Sequence, residues 1–139
     1  MKAFQPYLNF DGETRDAMTF YHHAFGGDLM IQSFGDAKVP VPPGAEDRVM
    51  HARISNGGAT LMASDTMPNP DRSFVRGDDM QVNIDCESRE EIERVFAALS
   101  QDAKQITLPL SEQFWGAYFG MLVDKYGVNW MFNYELPKA

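Results

Sequence analysis

An imidazole and a guanidinium stand two residues apart in "RVMHARI", where His51 and Arg53 oppose Met50, Ala52 and Ile54. Near the N-terminus, "FQPYLNF" repeats the arrangement, with Gln5, Tyr7 and Asn9 alternating against Phe4, Leu8 and Phe10. "MQVNID" does so again, with Gln81, Asn83 and Asp85 opposite Met80, Val82 and Ile84. Alternate residues of a strand lie on opposite faces, so each segment aims its polar side chains one way and its apolar ones the other. An imidazole can move a proton near neutral pH, and a guanidinium and a carboxamide orient polar ligand groups. In "FWGAYFGMLVDKYGVNWMFN", Trp115, Tyr118 and Phe119 supply large apolar bodies, two of them with a polar handle. Aromatic walls with a few directional polar groups are the makeup of a small-molecule site, and the expected binding residues are Gln5, Tyr7, His51, Arg53, Gln81, Asn83, Trp115, Tyr118, Phe119, Met131 and Asn133. The alternative is the plain solvent face of a one-sided antiparallel sheet, which needs no ligand.

Those faces require strands backed by helices. After the Asp11-Gly12 turn, helical spacing at Ala17, Phe20, Tyr21 and Ala24 predicts an amphipathic helix. After the second strand, Ser88 can cap a helix and Glu91 completes a capping box, with Ile92, Val95, Phe96 and Leu99 as the buried stripe. The two halves align without a gap: Phe4 with Met80, Gln5 with Gln81, Leu8 with Ile84, Asn9 with Asp85, Phe20 with Phe96. A second register aligns Gly58, Met62 and Ser64 with Gly127, Met131 and Asn133. Each half therefore reads strand, helix, strand, long loop, strand, hairpin, strand, with hairpin turns at "SNGG" and "DKYG". The expectation is one α+β domain over residues 1–139, built of tandem βαβββ modules at about 1–68 and 76–137. "DAKVPVPPGAED" and "DTMPNPDRSFVRGDD" are long enough to serve as rims, lids or contacts with a second chain.

Composition narrows the partners. Twenty acidic against twelve basic residues leave a net charge of −8, a field that repels nucleic-acid phosphates and anionic lipid surfaces. No apolar run nears the ~20 residues of a membrane span, and the N-terminus turns polar too early for a secretory signal, so the expected compartment is the cytoplasm. The single cysteine, Cys86, allows no internal disulfide and reads as a packing residue.

Together and in this order, "PYLNFDG…AMTFYHHAFGG", "VMHARISNGGATLMASD" and "FWG…FG…DKYGVNWM" resemble the PhnB-like branch of the vicinal-oxygen-chelate superfamily, alongside glyoxalase I, bleomycin-resistance proteins and extradiol dioxygenases. The resemblance covers nearly the whole chain. It implies paired βαβββ modules in a U-shaped, mostly antiparallel eight-stranded sheet with helices outside, within a homodimer. It also implies a divalent metal held by a His or Gln on each first strand and a Glu on each last one. Here the first-strand positions are Gln5 and Gln81, and the last-strand positions are Met62 and Met131, or Ser64 and Asn133 one pleat on. None of these is a carboxylate, and thioethers are poor ligands for hard cations. The expectation is therefore no metal cofactor, with His51, Gln5, Gln81 and the nearby Asp65 as the set to watch should a divalent metal bind.

Members of this branch are often labelled demethylubiquinone methyltransferases. A Rossmann-type cofactor site needs a parallel sheet and a glycine-rich strand-to-helix turn, whereas "FDGETRD" and "DCESREE" contain no G-x-G. Nucleophile-elbow, P-loop and H-E-x-x-H motifs are also missing from the sequence. Three readings remain: a metal-free binder or enzyme of a small organic molecule with His51 as its proton-transfer group; a metal-dependent lyase, isomerase or dioxygenase using His51 and the glutamines; or a dimeric structural module.

Overall fold

The computed structural model describes residues 1–138. In chain order it forms β1 (Tyr7–Phe10), α1 (Thr14–Phe25), β2 (Asp28–Ser33), β3 (Val49–Asn56), β4 (Ala59–Asp65), β5 (Val82–Asp85), α2 (Arg89–Leu99), β6 (Gln105–Glu112), β7 (Ala117–Val123) and β8 (Asn129–Glu135). The chain divides into two compact units with the boundary between Val75 and Arg76. Each is one βαβββ module with its own four-stranded mixed sheet, ordered β1-β4-β3-β2 in the first unit and β5-β8-β7-β6 in the second. The eight strands thus hydrogen-bond as two sheets, each with one parallel pair, first strand beside last, and two antiparallel pairs. The internal repeat is visible in the registers. Tyr7 faces Met62 and Asn9 faces Ser64 in the first sheet, as Asn83 faces Met131 and Asp85 faces Asn133 in the second.

Within each unit the helix covers the apolar sheet face. In the first, Ala17, Met18, Tyr21 and Ala24 of α1 are buried with Phe10, Ala52, Ile54, Leu61 and Ala63. In the second, Ile92, Val95 and Leu99 of α2 are buried with Leu122, Trp130 and Phe132. Side chains of this size stabilise a fold by roughly 1.5–3 kcal/mol each when fully buried. Phe96 meets Phe132 edge-on at 5.0 Å, and α2 packs so close to β7 that a Cβ on Gly120 would lie 2.9 Å from both Phe96 Cε2 and Leu110 Cδ2. That contact accounts for a glycine in a strand interior.

The two helices start differently. Ser88 Oγ accepts from Glu91 N at 3.1 Å, and Glu91 Oε1 accepts from Glu87 N at 3.0 Å, so α2 carries the side-chain cap its sequence predicts. Glu13 offers α1 no side-chain cap. The missing acceptor comes from the end of β4, where buried Asp65 accepts from Gly12 N, Thr14 N and Thr14 Oγ1 through Oδ1 and from Val49 N through Oδ2, at 2.7–3.1 Å. Asp124 serves the second unit similarly, accepting from Tyr126 N, Val128 N and the Trp130 indole at 2.8–3.0 Å.

Three local expectations are corrected. Strand pairing begins at Tyr7 and Val82, leaving Gln5 and Gln81 outside the strands and Phe4 and Met80 92% and 76% exposed instead of on the covered face. In the first unit Pro6 has no N–H to give the ladder, although its carbonyl accepts from Met62 N at 3.3 Å. The long loop also belongs to the first module alone. Residues 34–48 join β2 to β3, whereas 113–116 suffice between β6 and β7, in a tight turn with Gly116 at φ +89°. Among the described residues no helix is long and apolar enough to cross a membrane.

Candidate functional site

The uncovered face of the first sheet is built by strand parity. Across it, Tyr7 of β1 stands opposite Met62 of β4, Met62 opposite Arg53 of β3, and Arg53 opposite Met30 of β2. One pleat along, Asn9 pairs with Ser64 and His51 with Gln32; one pleat the other way, Ser55 stands between Thr60 and Asp28. The Tyr7 hydroxyl lies 3.1 Å from His51 Nδ1, with the rings stacked at 5.8 Å between centroids. Because β4 runs between β1 and β3, the phenol crosses about two strand spacings, ~10 Å, to reach the imidazole. A phenol donating to Nδ1 requires the ring proton on Nε2, whereas a protonated Nδ1 donates to the phenol oxygen, so the tautomer sets the direction of this contact.

The second sheet's uncovered face differs in chemistry. Asn83 pairs with Met131, Asp85 with Asn133, Asn133 with Phe119, and Met131 with Met121. Asn133 Nδ2 donates to Asp85 Oδ1 at 2.9 Å. Trp115, in the turn before β7, is 53% exposed and meets Phe119 edge-on at 5.7 Å. One module thus presents a cationic and imidazole face, its repeat an acidic and amide face. Asp85 belongs with the candidate site residues, and its alternation with Asn83 already marked it for the uncovered side.

Other expected site residues lie elsewhere. Tyr118 neighbours Phe119 on β7 and therefore faces the opposite side, toward α2. Its hydroxyl donates to Glu93 Oε1 at 3.2 Å and the Arg89 guanidinium sits 4.3 Å from its ring centroid. Burial, with the Glu93 carboxylate beside it, holds the Tyr118 hydroxyl above the usual tyrosine range. Asp65 lies on the helix side of β4, spent on its four donors, so it is not a partner for His51. His22 Nε2 lies 2.8 Å from Gly27 O and serves the end of α1. Cys86 is buried, and burial followed by the charges of Glu91 and Asp85 pushes its thiol from 9.0 to about 12. It stays protonated at neutral pH and is no nucleophile.

The metal implied by the resemblance does not fit these residues. Gln5 and Gln81 lie in exposed segments ahead of the strands, and the last-strand positions carry the thioethers of Met62 and Met131. His51 Nδ1 is engaged by Tyr7, and among the described residues no three His, Cys, Asp or Glu side chains gather as a metal site. A neutral donor set of this kind lacks the anionic ligands a hard divalent cation requires.

Comparison with known proteins agrees with this architecture. A family model described as 3-demethylubiquinone-9 3-methyltransferase matches residues 2–132. Protein YjdN of Escherichia coli (strain K12) is 32% identical over 139 residues, covering 92% of each chain. The crystal structure of protein PA1353 from Pseudomonas aeruginosa is 38% identical with a TM-score of 0.84, covering 97% of this chain and all of that one. A Bacillus cereus structure described as a putative 3-demethylubiquinone-9 3-methyltransferase, PhnB protein, is 32% identical with a TM-score of 0.73, covering 96% and 99%. Glyoxalase/bleomycin-resistance/dioxygenase structures with under 20% identity share the fold. The chain belongs to the PhnB-like, 3-demethylubiquinone-9 3-methyltransferase family and has the fold of the glyoxalase/bleomycin-resistance/dioxygenase structures.

Proposed function

We propose that this protein binds a small, amphipathic or partly aromatic organic molecule on the uncovered face of its first sheet, without the divalent metal of the glyoxalase-type enzymes. The observation that carries this reading is the Tyr7–His51 pair beside Met62 and Arg53, a directional polar group set among apolar side chains. If the bound molecule is transformed, His51 is the group that takes or gives a proton, with Tyr7 holding its ring in place. Taken by itself, the other unit offers a separate surface of similar makeup in Trp115, Phe119, Met131 and Asn133, and Gln5 and Gln81 each precede the first strand of their own unit.

A Rossmann-type methyltransferase site, which the family's description would suggest, does not suit this fold. Each sheet has one parallel pair only, and the turns Asp11-Gly12-Glu13 and Cys86-Glu87-Ser88 lack the glycine-rich cradle of a Rossmann-type cofactor site. We place the protein in the cytoplasm as a homodimer, with exposed Phe4 and Met80 as apolar surface for the second copy; light scattering at the mass of one chain would contradict the dimer.

The test is methionine-methyl NMR on chelator-treated protein, titrated with a panel of aromatic and aliphatic fragments. The expected result is perturbation of Met62 and Met30 while Met18, fully buried on the inner face of α1, stays unchanged. Perturbation only after a divalent metal is added would instead support the metal-dependent lyase, isomerase or dioxygenase. No response under either condition would retire the small-molecule reading.

A further inference from the structure

Arg53 is an unusual residue in an unusual place. In a chain with twenty acidic and twelve basic residues, a carboxylate across the ladder would be a stabilising neighbour for a strand arginine. Its two cross-strand neighbours are methionines, Met30 on β2 and Met62 on β4. Arg48 pairs with Asp11 and Arg89 with Glu112, whereas Arg53 is exposed and belongs to neither pair. The carboxylate sharing its face, Asp28, is one pleat away opposite Ser55 and makes no ion pair with it. The next polar groups on the face are His51 and Tyr7, which face one another.

We propose that Arg53 anchors the anionic head, a carboxylate or a phosphate-type oxyanion, of a ligand whose apolar body lies over Met30, Met62 and the Tyr7 ring. This rests on the small-molecule reading above and adds the ligand's charge and its orientation. The physical argument is complementarity. A planar guanidinium forms paired, charge-assisted hydrogen bonds with an oxyanion, stronger than neutral ones, and thioethers adapt their shape to an apolar chain. Tyr7 and Met30 are 46% and 40% exposed, so the apolar surface beside the guanidinium is accessible. A ligand held this way brings the atoms next to its head beside the Tyr7–His51 pair, about 7 Å along β3 from Arg53.

The test uses octanoate, 1-octanol and octylammonium, which share a chain and differ in head group, with the Met30 and Met62 methyl signals as readout. The expected order is octanoate at least about tenfold tighter than octanol, with octylammonium weakest. Arg53→Gln should bring octanoate and octanol to within about twofold of one another, and Arg53→Lys should retain part of the preference as a point charge without the fork. Equal octanoate and octanol binding to the unaltered protein, or an octanoate preference that survives Arg53→Gln, would overturn the anchor while leaving the small-molecule site standing. Failure of all three probes to move either methionine at millimolar concentration would overturn both.

Discussion

Replacing Asp65 with alanine is expected to cost about 4 kcal/mol of stability. One buried carboxylate there accepts from two backbone N–H groups at the start of α1, from the Thr14 hydroxyl and from Val49 N on β3. Alanine leaves those donors without an acceptor in a water-poor environment, and a buried unsatisfied donor costs roughly 1–3 kcal/mol. Urea unfolding followed by circular dichroism measures the loss as a lower midpoint. Asp65→Asn should fall between the two, since its amide keeps one acceptor oxygen and turns the other position into a donor. A midpoint for Asp65→Ala within about 0.5 kcal/mol of the unaltered protein would show that α1 is held by its apolar stripe alone.

The second unit has its counterpart in Asp124, fully buried in the β7–β8 turn, and Asp124→Ala is expected to cost about 3 kcal/mol. Two of its donors are the turn amides of Tyr126 and Val128, and the third is the indole of Trp130, itself buried under α2. Loss of the carboxylate therefore loosens the hairpin and strands the indole N–H in the core. Hydrogen exchange distinguishes this substitution from the Asp65 one. Protection should fall first in β7 and β8 for Asp124→Ala, and first in α1 and β3 for Asp65→Ala. Equal loss across both units from either substitution would contradict the assignment of one buried carboxylate to each.

These two carboxylates also show what a linear reading can and cannot reach. The faces of β1, β3, β5 and β8 were legible because a two-residue period needs only the strand itself, and the apolar stripe of α2 with its Ser88 cap needs only its own few residues. The cap of α1 was not legible as such, because its acceptor is some fifty residues away at the end of β4. Asp65 looked free to serve His51 for the same reason: alternation alone does not say which side of β4 the helix covers until Leu61, Ala63 and Asp65 are seen buried together. Tyr118 was misplaced by its neighbours, since an aromatic cluster suggests a shared wall whereas parity on β7 sends Tyr118 and Phe119 to opposite faces. Strand starts at Tyr7 and Val82 depended on where the parallel partners β4 and β8 pair, a nonlocal fact.

The repeat itself carried the fold furthest. Matching Met62 with Met131 and Asn9 with Asp85 anticipated the registers in which each first strand pairs with its last.

The most direct measurement is elemental analysis of untagged protein purified without chelators, alongside His51→Ala. The account predicts less than about a tenth of an equivalent of any first-row divalent metal in either protein, as befits a neutral donor set. About one equivalent of Mn, Fe, Co, Ni or Zn in the unaltered protein, lost on His51→Ala, would contradict it and make His51 a ligand of a metalloenzyme.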